Sequence, residues 1–419
     1  MKQRKPKKIL VVSPFASHPN DVGNRSRLYH FLKQLKKQGN DICFLYAYHS
    51  IINPKDKPTK QDIKAMKKEW KKVYIIPPNF KTKFSEIIFE IDKKIGQAGL
   101  IFKQIFPNLH AQQQKLRKNF KKPFKQKTVD HLYNKKIDNF LKKLKRKYDF
   151  DIILAQYIFF SKALNLFKDK LKLIDTHDQF SNRRDIFLKK GIDYRGLSCT
   201  QEEEAKAINR ADIIIAIQNE EAKFLKKLAD KNKKIVIISH IQNIKSPIKR
   251  TSKRKNLFFV GQEGFPNKEA VLFIINKILP KLKQKYPETK LVLAGNISKT
   301  ITKQKNIIRL GKVKNIEKAY SLADIVVTPM FTQTGQSIKN VEALAHSLPL
   351  VTTKKGARGI EKGKNKAFLI ANTEKEFIKG IDKILSNKNY YEKLSKNAHT
   401  FMKEYNKKNI DKIQEIFQK

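Results

Sequence analysis

The chain has 419 residues, of which 40% are hydrophobic, and this length predicts two globular domains rather than one oversized core. Lys and Arg number 91 against 38 Asp and Glu, and the net charge of +53 predicts attraction to anions. Because most of these cations are Lys rather than Arg, a dedicated nucleic-acid surface is disfavoured and attraction to an anionic membrane surface is retained. No apolar run approaches a membrane-spanning length, and the lone Cys43 and Cys199 suit a reducing cytoplasm.

The first part of the chain alternates apolar strands with helices. Residues 8–13, 42–48 and 73–77 are predicted strands, and this βαβ alternation predicts an α/β fold with a parallel sheet. Ligands of such sheets bind at the carboxyl ends of the strands. The turn containing Gly23 is therefore predicted to face a ligand, with Arg27 in the following helix. An ordinary strand–helix turn is the alternative.

A Lys-, Phe- and Gln-rich segment at about 79–147 interrupts the alternation. Solvated helices that pack on the first domain are the favoured interpretation. Basic helices that lie on an anionic membrane are the alternative.

Polar residues follow the strand predicted at 172–175. Asp175, His177 and Asp178 cluster at its carboxyl end, where catalytic groups of α/β proteins concentrate. A histidine between two carboxylates can be oriented and kept charged, or can carry a proton. A capped loop before a helix is the alternative.

Composition also divides the chain into domains. Residues 1–242 are predicted to form the first domain, and the Lys-, Pro- and Ser-containing segment 243–255 the linker. Residues 256–395 are predicted to form a second α/β domain, followed by a terminal helix over 396–419.

Residues 324–359 predict a strand, a loop with Gly335, a helix, a second strand and a final loop. At helical spacing, Lys339, Glu342 and His346 share one stripe beside the apolar face. The start of such a helix attracts anions, so Lys339 can meet a diphosphate and Glu342 can accept ribose hydroxyls. A solvated ion pair between Lys339 and Glu342 is the alternative.

These residues also carry a family resemblance. The stretch is similar to the pattern G-x-x-x-K-x-x-E-A-L-A-x-x-x-P-V-V-x-T of glycosyltransferase family 4, the group 1 glycosyltransferases of the GT-B fold. The matching positions are Gly335, Lys339, Glu342, Ala343, Leu344, Ala345, Pro349, Val351 and Thr353. The commoner form of the family has Glu where this chain has Thr334, and Gly where it has Ser347.

The resemblance implies two Rossmann-like domains that face a cleft, with the C-terminal helix packing back on the N-terminal domain. It implies retaining transfer, without a bound metal or cofactor, from a nucleoside diphosphate-sugar bound by the second domain. The donor-binding residues implied are Gly23, Lys268, Val313, Gly335, Gln336, Lys339 and Glu342. His177 and Asp175 would serve catalysis near the acceptor, Lys339 would stabilise the leaving diphosphate, and Arg358 would add a second positive charge.

The expected process is synthesis of cell-surface polysaccharide, lipopolysaccharide or glycolipid, with a saccharide or lipid-linked acceptor. The expected location is the cytoplasm, with peripheral association at the inner face of the membrane. Because Thr334 and Ser347 depart from the pattern, a nucleotide-sugar-binding or regulatory protein with decayed catalysis is the alternative. A nucleic-acid-binding protein is the third hypothesis.

Overall fold

The computed structural model describes residues 5–48, 58–70, 72–77, 128–181, 183–189, 191, 197–247, 255–313, 315–332 and 335–417. Most of the predicted insertion at 79–147 therefore lies outside the described residues, as does Thr334. The described residues form two α/β domains, each built around one parallel sheet. The α/β fold class predicted from the sequence is confirmed.

The first domain contains a seven-stranded sheet in the order β3-β2-β1-β4-β5-β6-β7. The strands are β1 Lys8–Ser13, β2 Asp41–Ala47, β3 Lys72–Ile76, β4 Ile152–Gln156, β5 Leu171–Asp175, β6 Ile213–Ala216 and β7 Lys234–Ile237. All of its pairings are parallel. The central strands are buried on both faces, which explains why they read as continuous apolar runs.

Helices cover both faces of this sheet. They are α1 Gly23–Lys37, α2 Lys60–Trp70, α3 Lys135–Lys147, α4 Arg183–Leu188, α5 Gln201–Ile208 and α6 Asn219–Leu228, with 3-10 helices at Val129–Leu132 and Ile158–Leu166. Helix α1 buries the predicted apolar face formed by Leu28, Phe31, Leu32 and Leu35. It is followed by Gly39, whose φ of +86° lets the chain turn into β2.

The second domain contains a six-stranded parallel sheet in the order β10-β9-β8-β11-β12-β13. The strands are β8 Asn256–Val260, β9 Lys290–Ala294, β10 Ile307–Gly311, β11 Ile325–Thr328, β12 Leu350–Thr352 and β13 Leu369–Ile370. The helices are α7 Phe265–Phe273, α8 Leu279–Lys285, α9 Ile316–Tyr320, α10 Ile338–Ala345 and α11 Glu374–Ser386. A π-helical segment, Ile274–Ile278, joins α7 to α8, and 3-10 helices occupy Asn296–Thr300 and Glu361–Gly363.

The last helix, α12 Lys388–Phe417, belongs to both domains. Near its start, Tyr391 and Leu394 pack in the core of the second domain. Near its end, Ile413 and Phe417 pack in the core of the first, where the rings of Phe417 and Phe31 lie 5.9 Å apart. The return of the C-terminal helix to the first domain is therefore as the family resemblance implies. The division drawn between residues 395 and 396 falls inside this continuous helix.

Both sheets reverse their strand order next to their first strand, between β1 and β4 in one domain and between β8 and β11 in the other. In open parallel sheets, ligands bind in the crevice outside the carboxyl ends of the strands at such a reversal. The two reversals therefore indicate where each domain contributes to a site.

Candidate active site

A cavity of about 970 Å³ lies between the domains and receives loops from the carboxyl ends of both sheets. The first domain contributes Gly23 and Arg27 after β1, Tyr157 after β4 and His177 after β5. The lining from the second domain includes Val313, Gly335, Gln336, Lys339, Glu342 and Arg358. The volume is within the range of pockets that hold small-molecule ligands.

Lys339 lies in the first turn of α10, with its ammonium group inside the cleft. Its Nζ donates to Asn267 Oδ1, lies 3.8 Å from Met330 Sδ and stands 4.6 Å from the centre of the Phe259 ring. Burial lowers the pKa of Lys339 to about 7, although nearby Glu342 acts in the opposite direction. A lysine in a solvated ion pair would not show this shift.

Glu342 lies one turn further along α10. The Tyr320 hydroxyl is 3.1 Å from Glu342 Oε2 and 3.3 Å from the Lys339 carbonyl oxygen. Burial raises the pKa of Glu342 to about 7, against the effects of Tyr320 and Lys339. Both Lys339 and Glu342 keep some accessible surface because they line the cavity, although they lie deep in the protein. The stripe predicted from the sequence therefore faces a cleft rather than bulk solvent.

Of the other residues expected on the donor side, some line the cavity and one does not. Val313 lines the cavity after Gly311, whose φ of +68° shapes the turn that follows β10. Lys268, which was expected to bind the donor, is exposed and is not among the lining residues. Its neighbour Asn267 does line the cavity and contacts Lys339. Arg358 lines the cavity.

Two glycines mark close approaches across the cleft. A Cβ on Gly23 would lie 3.3 Å from Ile338 Cδ1, and one on Gly335 would lie 3.1 Å from Asp178 Cγ. Lys312 adds an ion pair across the same gap, with its Nζ 3.0 Å from Asp21 Oδ2. The two domains therefore meet closely around the cavity.

Gln336 also joins the domains, through its side-chain amide. Its Oε1 accepts from the His240 backbone N–H at 3.0 Å, and its Nε2 donates to the Tyr405 hydroxyl at 2.9 Å. Gln336 lines the cavity, but these two contacts occupy its amide in the structure described.

Asp175 differs from the role expected for it. Its carboxylate is fully buried, does not line the cavity and pairs with Arg27, whose Nη2 lies 2.6 Å from Oδ1 and whose Nε lies 3.1 Å from Oδ2. A carboxylate enclosed in this way cannot touch an acceptor in this conformation. It can orient His177, whose Nε2 is 3.3 Å from Asp175 Oδ2. The sequence placed Asp175 at the correct strand end but could not identify its partner.

His177 lies at the cavity wall with a left-handed backbone, φ +64°. Its Nε2 is 2.6 Å from Gln156 Oε1, so the proton is assigned to Nε2 and Nδ1 is left as an acceptor. Burial lowers the pKa of His177 to about 4, and the charge of Asp175 only partly offsets this. The neutral ring is therefore favoured at pH 7 over the charged imidazole, which the sequence also allowed.

Two buried glutamates that sequence reasoning missed hold the loop containing His177. Glu204 accepts from the backbone N–H groups of Phe180 and Ser181 at 3.0 and 2.7 Å. Glu221 accepts from Thr176 Oγ1 and the Ile217 backbone N–H, both at 2.7 Å. Burial raises the pKa of both carboxyl groups, that of Glu221 to about 8. The signal in the sequence that could have identified them is a glutamate on the buried face of an amphipathic helix.

Two features are absent from the parts of the chain that the structure describes. No helix there is long and apolar enough to cross a membrane. The same residues contain no group of three or more His, Cys, Asp or Glu side chains placed to hold a metal ion. Metal independence and peripheral membrane binding remain predictions.

Known proteins resemble this chain at three levels. Residues 254–387 match the family model described as glycosyl transferases group 1. An uncharacterized 44.6 kDa protein in the cps region of Klebsiella pneumoniae is 24% identical over 430 residues, which cover 96% of this chain and 97% of that protein.

Solved structures share the fold at low sequence identity. Sucrose-phosphate synthase from Thermosynechococcus elongatus has a TM-score of 0.65 at 12% identity, and 98% of each chain is covered. A TarM mutant from S. aureus, in complex with fondaparinux, alpha-GlcNAc-glycerol and UDP, has a TM-score of 0.62 at 13% identity. That match covers 98% of this chain and 99% of TarM. The resemblance seen at Gly335–Thr353 is confirmed, because residues 254–387 match the group 1 glycosyltransferase model and the chain has the GT-B fold of these structures.

Proposed function

We propose that the chain transfers a sugar, with retention and without a bound metal, from a nucleoside diphosphate-sugar to an acceptor at the wall of the first domain. The observation that carries this proposal is the burial of Lys339 and Glu342 side by side along a helix that starts inside the cleft. A desolvated cation and carboxylate cost free energy unless a ligand uses them, and perturbed pKa values of this kind cluster at functional sites.

The donor side supplies positive charge where the leaving group would develop negative charge. The Lys339 ammonium and the start of α10, where the Ser337 side chain makes no capping hydrogen bond, both favour a diphosphate. In a site with little water, fixed groups of this kind stabilise a transition state more strongly than they would in bulk solvent. Glu342 would accept hydrogen bonds from the ribose hydroxyls.

The acceptor side supplies a neutral imidazole. His177 Nδ1 can accept a hydrogen bond or a proton from an attacking hydroxyl, while Gln156 and Asp175 hold the opposite side of the ring. The new bond would join the acceptor oxygen to the anomeric carbon as the bond to the diphosphate oxygen breaks. Asp175 acts through His177 and is a positioning residue in this scheme.

The relatives suggest a donor and a setting. TarM holds UDP in its complex, so a uridine nucleotide is the first donor to test. The K. pneumoniae relative lies in a cps region, which supports a role in cell-surface polysaccharide synthesis with a saccharide or lipid-linked acceptor. The net charge of +53 supports peripheral binding to an anionic membrane from the cytoplasmic side.

The proposal is tested with a panel of UDP-, GDP- and ADP-sugars. A bound donor at 100 times its Kd should stabilise the protein by about 2.7 kcal/mol, which thermal shift detects. Donor turnover, by transfer or hydrolysis, should then proceed in EDTA. Turnover that requires added Mg²⁺ or Mn²⁺ would contradict metal independence. Binding without turnover would favour the nucleotide-sugar-binding alternative, and binding of none would show that the site is misassigned.

Substitutions of Lys339 and Glu342 should affect different kinetic constants. Lys339→Ala should lower kcat and weaken nucleotide binding, because the charge it meets grows in the transition state. Glu342→Gln should chiefly raise the donor KM, by roughly 10- to 100-fold if a charged hydrogen bond of about 1.5–3 kcal/mol is lost. Lys303→Ala, at an exposed lysine away from the cavity, is the control. Wild-type kinetics in both cavity variants would leave the pair without a catalytic role.

Nucleotide binding should also depend on pH through Lys339. Its lowered pKa, about 7, means that the free protein carries this charge below about pH 7 and loses it above. A bound diphosphate favours the ammonium form, so affinity for UDP should fall by up to about tenfold per unit above pH 7. The UDP phosphate, with a pKa near 6, is ionised throughout that range. Calorimetric titrations at about pH 7 to 9 measure the slope.

Two variants distinguish the contributions of Lys339 and Glu342, which both titrate in this pH range. Lys339→Met should abolish the fall in affinity. Glu342 ionises over the same range and would then hold ribose more strongly, so Glu342→Gln should make the fall steeper. A slope that persists in Lys339→Met would assign the effect to another group.

His177→Ala should lower turnover by about 10²- to 10⁴-fold while UDP affinity stays nearly unchanged, because the imidazole faces the acceptor rather than the nucleotide. Steady-state kinetics and UDP titration measure the two effects. His131→Ala, in the same domain but outside the cavity lining, is the matched control. An unchanged rate would reduce His177 to a structural residue.

A further inference from the structure

His346 is a buried polar residue of the donor side whose hydrogen bonding is incomplete. It follows Ala345 at the end of α10, lines the cavity and is only 5% exposed. Its Nδ1 lies 2.8 Å from the Glu342 carbonyl oxygen, and because a carbonyl can only accept, Nδ1 carries the proton. Its Nε2 is buried and has no hydrogen-bond partner in the structure that is described.

The surroundings keep this acceptor neutral and fixed in orientation. Burial lowers the pKa of His346, and the charges facing it, Glu317 and Lys245, oppose each other and form an ion pair. The imidazole stacks on the Tyr320 ring at 4.2 Å with 21° between the planes. The Lys245 backbone N–H donates to the Ala345 carbonyl at 2.7 Å, which packs the incoming chain against the end of α10.

A buried acceptor without a donor is unfavourable and uncommon in folded proteins. At His346 the ring is locked in place, so the protein cannot relieve the deficit by turning Nε2 toward the other described groups. A ligand that brings a hydrogen-bond donor would relieve it. The side chain therefore resembles a site prepared for a partner rather than a satisfied core histidine.

We propose that His346 Nε2 accepts a hydrogen bond from the nucleoside of the donor, which makes His346 a determinant of nucleotide binding. This inference rests on the proposed function. At about 1.5 Å per helical residue, Glu342 lies about 4.5 Å beyond Lys339, and His346 about 6 Å beyond Glu342. The stripe thus follows the order of diphosphate, ribose and base. The ligand group is an O–H or N–H donor on the ribose or the base.

The test compares two substitutions by UDP titration. His346→Phe keeps a ring against Tyr320 but removes the acceptor, so the Kd should rise by roughly 5- to 100-fold. His346→Gln keeps an acceptor oxygen near the position of Nε2, and its Kd should stay within about threefold of wild type. His399→Phe is the matched control, because His399 contacts the Lys245 carbonyl but does not line the cavity.

Deoxy analogues identify which part of the nucleoside supplies the donor. If a ribose hydroxyl is the partner, the penalty of His346→Phe should vanish with 2′-deoxy-UDP or with 3′-deoxy-UDP. If the penalty persists with both analogues, the base supplies the donor. This comparison is a double-mutant cycle between the side chain and the ligand.

The outcomes separate this inference from the function on which it rests. If wild type binds none of UDP, GDP and ADP, the proposed function fails first. If wild type binds but His346→Phe binds equally well, or if His346→Gln loses as much as His346→Phe, the inference is overturned. The nucleotide-free melting temperature of each variant is measured, and His346→Leu replaces His346→Phe if the latter does not fold.

Discussion

The buried contact between Arg27 and Asp175 holds the first-domain wall of the cleft in place. It joins α1 to the end of β5, two elements separated by 148 positions in the chain, and neither side chain is more than 2% exposed. A buried ion pair adds little net stability over apolar packing, but removal of one partner strands a charge at a cost of about 3–5 kcal/mol. The main effect of the pair is therefore to fix the position of the end of β5 relative to α1. This also fixes the position of His177, two residues beyond Asp175.

The loop beyond Asp175 is strained as well as anchored. His177 and Tyr157 both have φ near +65°, which costs side-chain-bearing residues free energy, and their rings lie 4.8 Å apart. Glu204 and Glu221 hold this region through buried hydrogen bonds. In the second domain, the Tyr320 hydroxyl holds Glu342 in place by donating a hydrogen bond to its carboxylate. Each domain thus meets the cavity with polar groups fixed before a ligand arrives, which limits the reorganisation that binding requires.

The local sequence pattern predicted the strands and helices well, because the spacing of apolar residues and the positions of glycines depend on how each strand or helix is itself buried. The strand, loop and helix around Lys339 illustrate this, and so does β5 with the polar residues after it. The pattern could not show that Arg27 neutralises Asp175, nor that Asn267 contacts Lys339, because these pairings arise only when distant segments pack. It also could not place the division between the second domain and the terminal helix, because α12 runs from the core of one domain into that of the other without interruption.

Helix α12 ties the two domains together a second time, in addition to the connection through residues 243–255. Its final turns, with Ile413, Ile416 and Phe417, fill the core of the first domain, although the helix starts in the second. A second domain produced alone would therefore expose the apolar end of α12. The first domain alone would expose the apolar surface that this helix end covers. Such matching surfaces favour association between copies, as in domain-swapped dimers. Expression of the domains as separate halves would have to divide this helix as well as the linker.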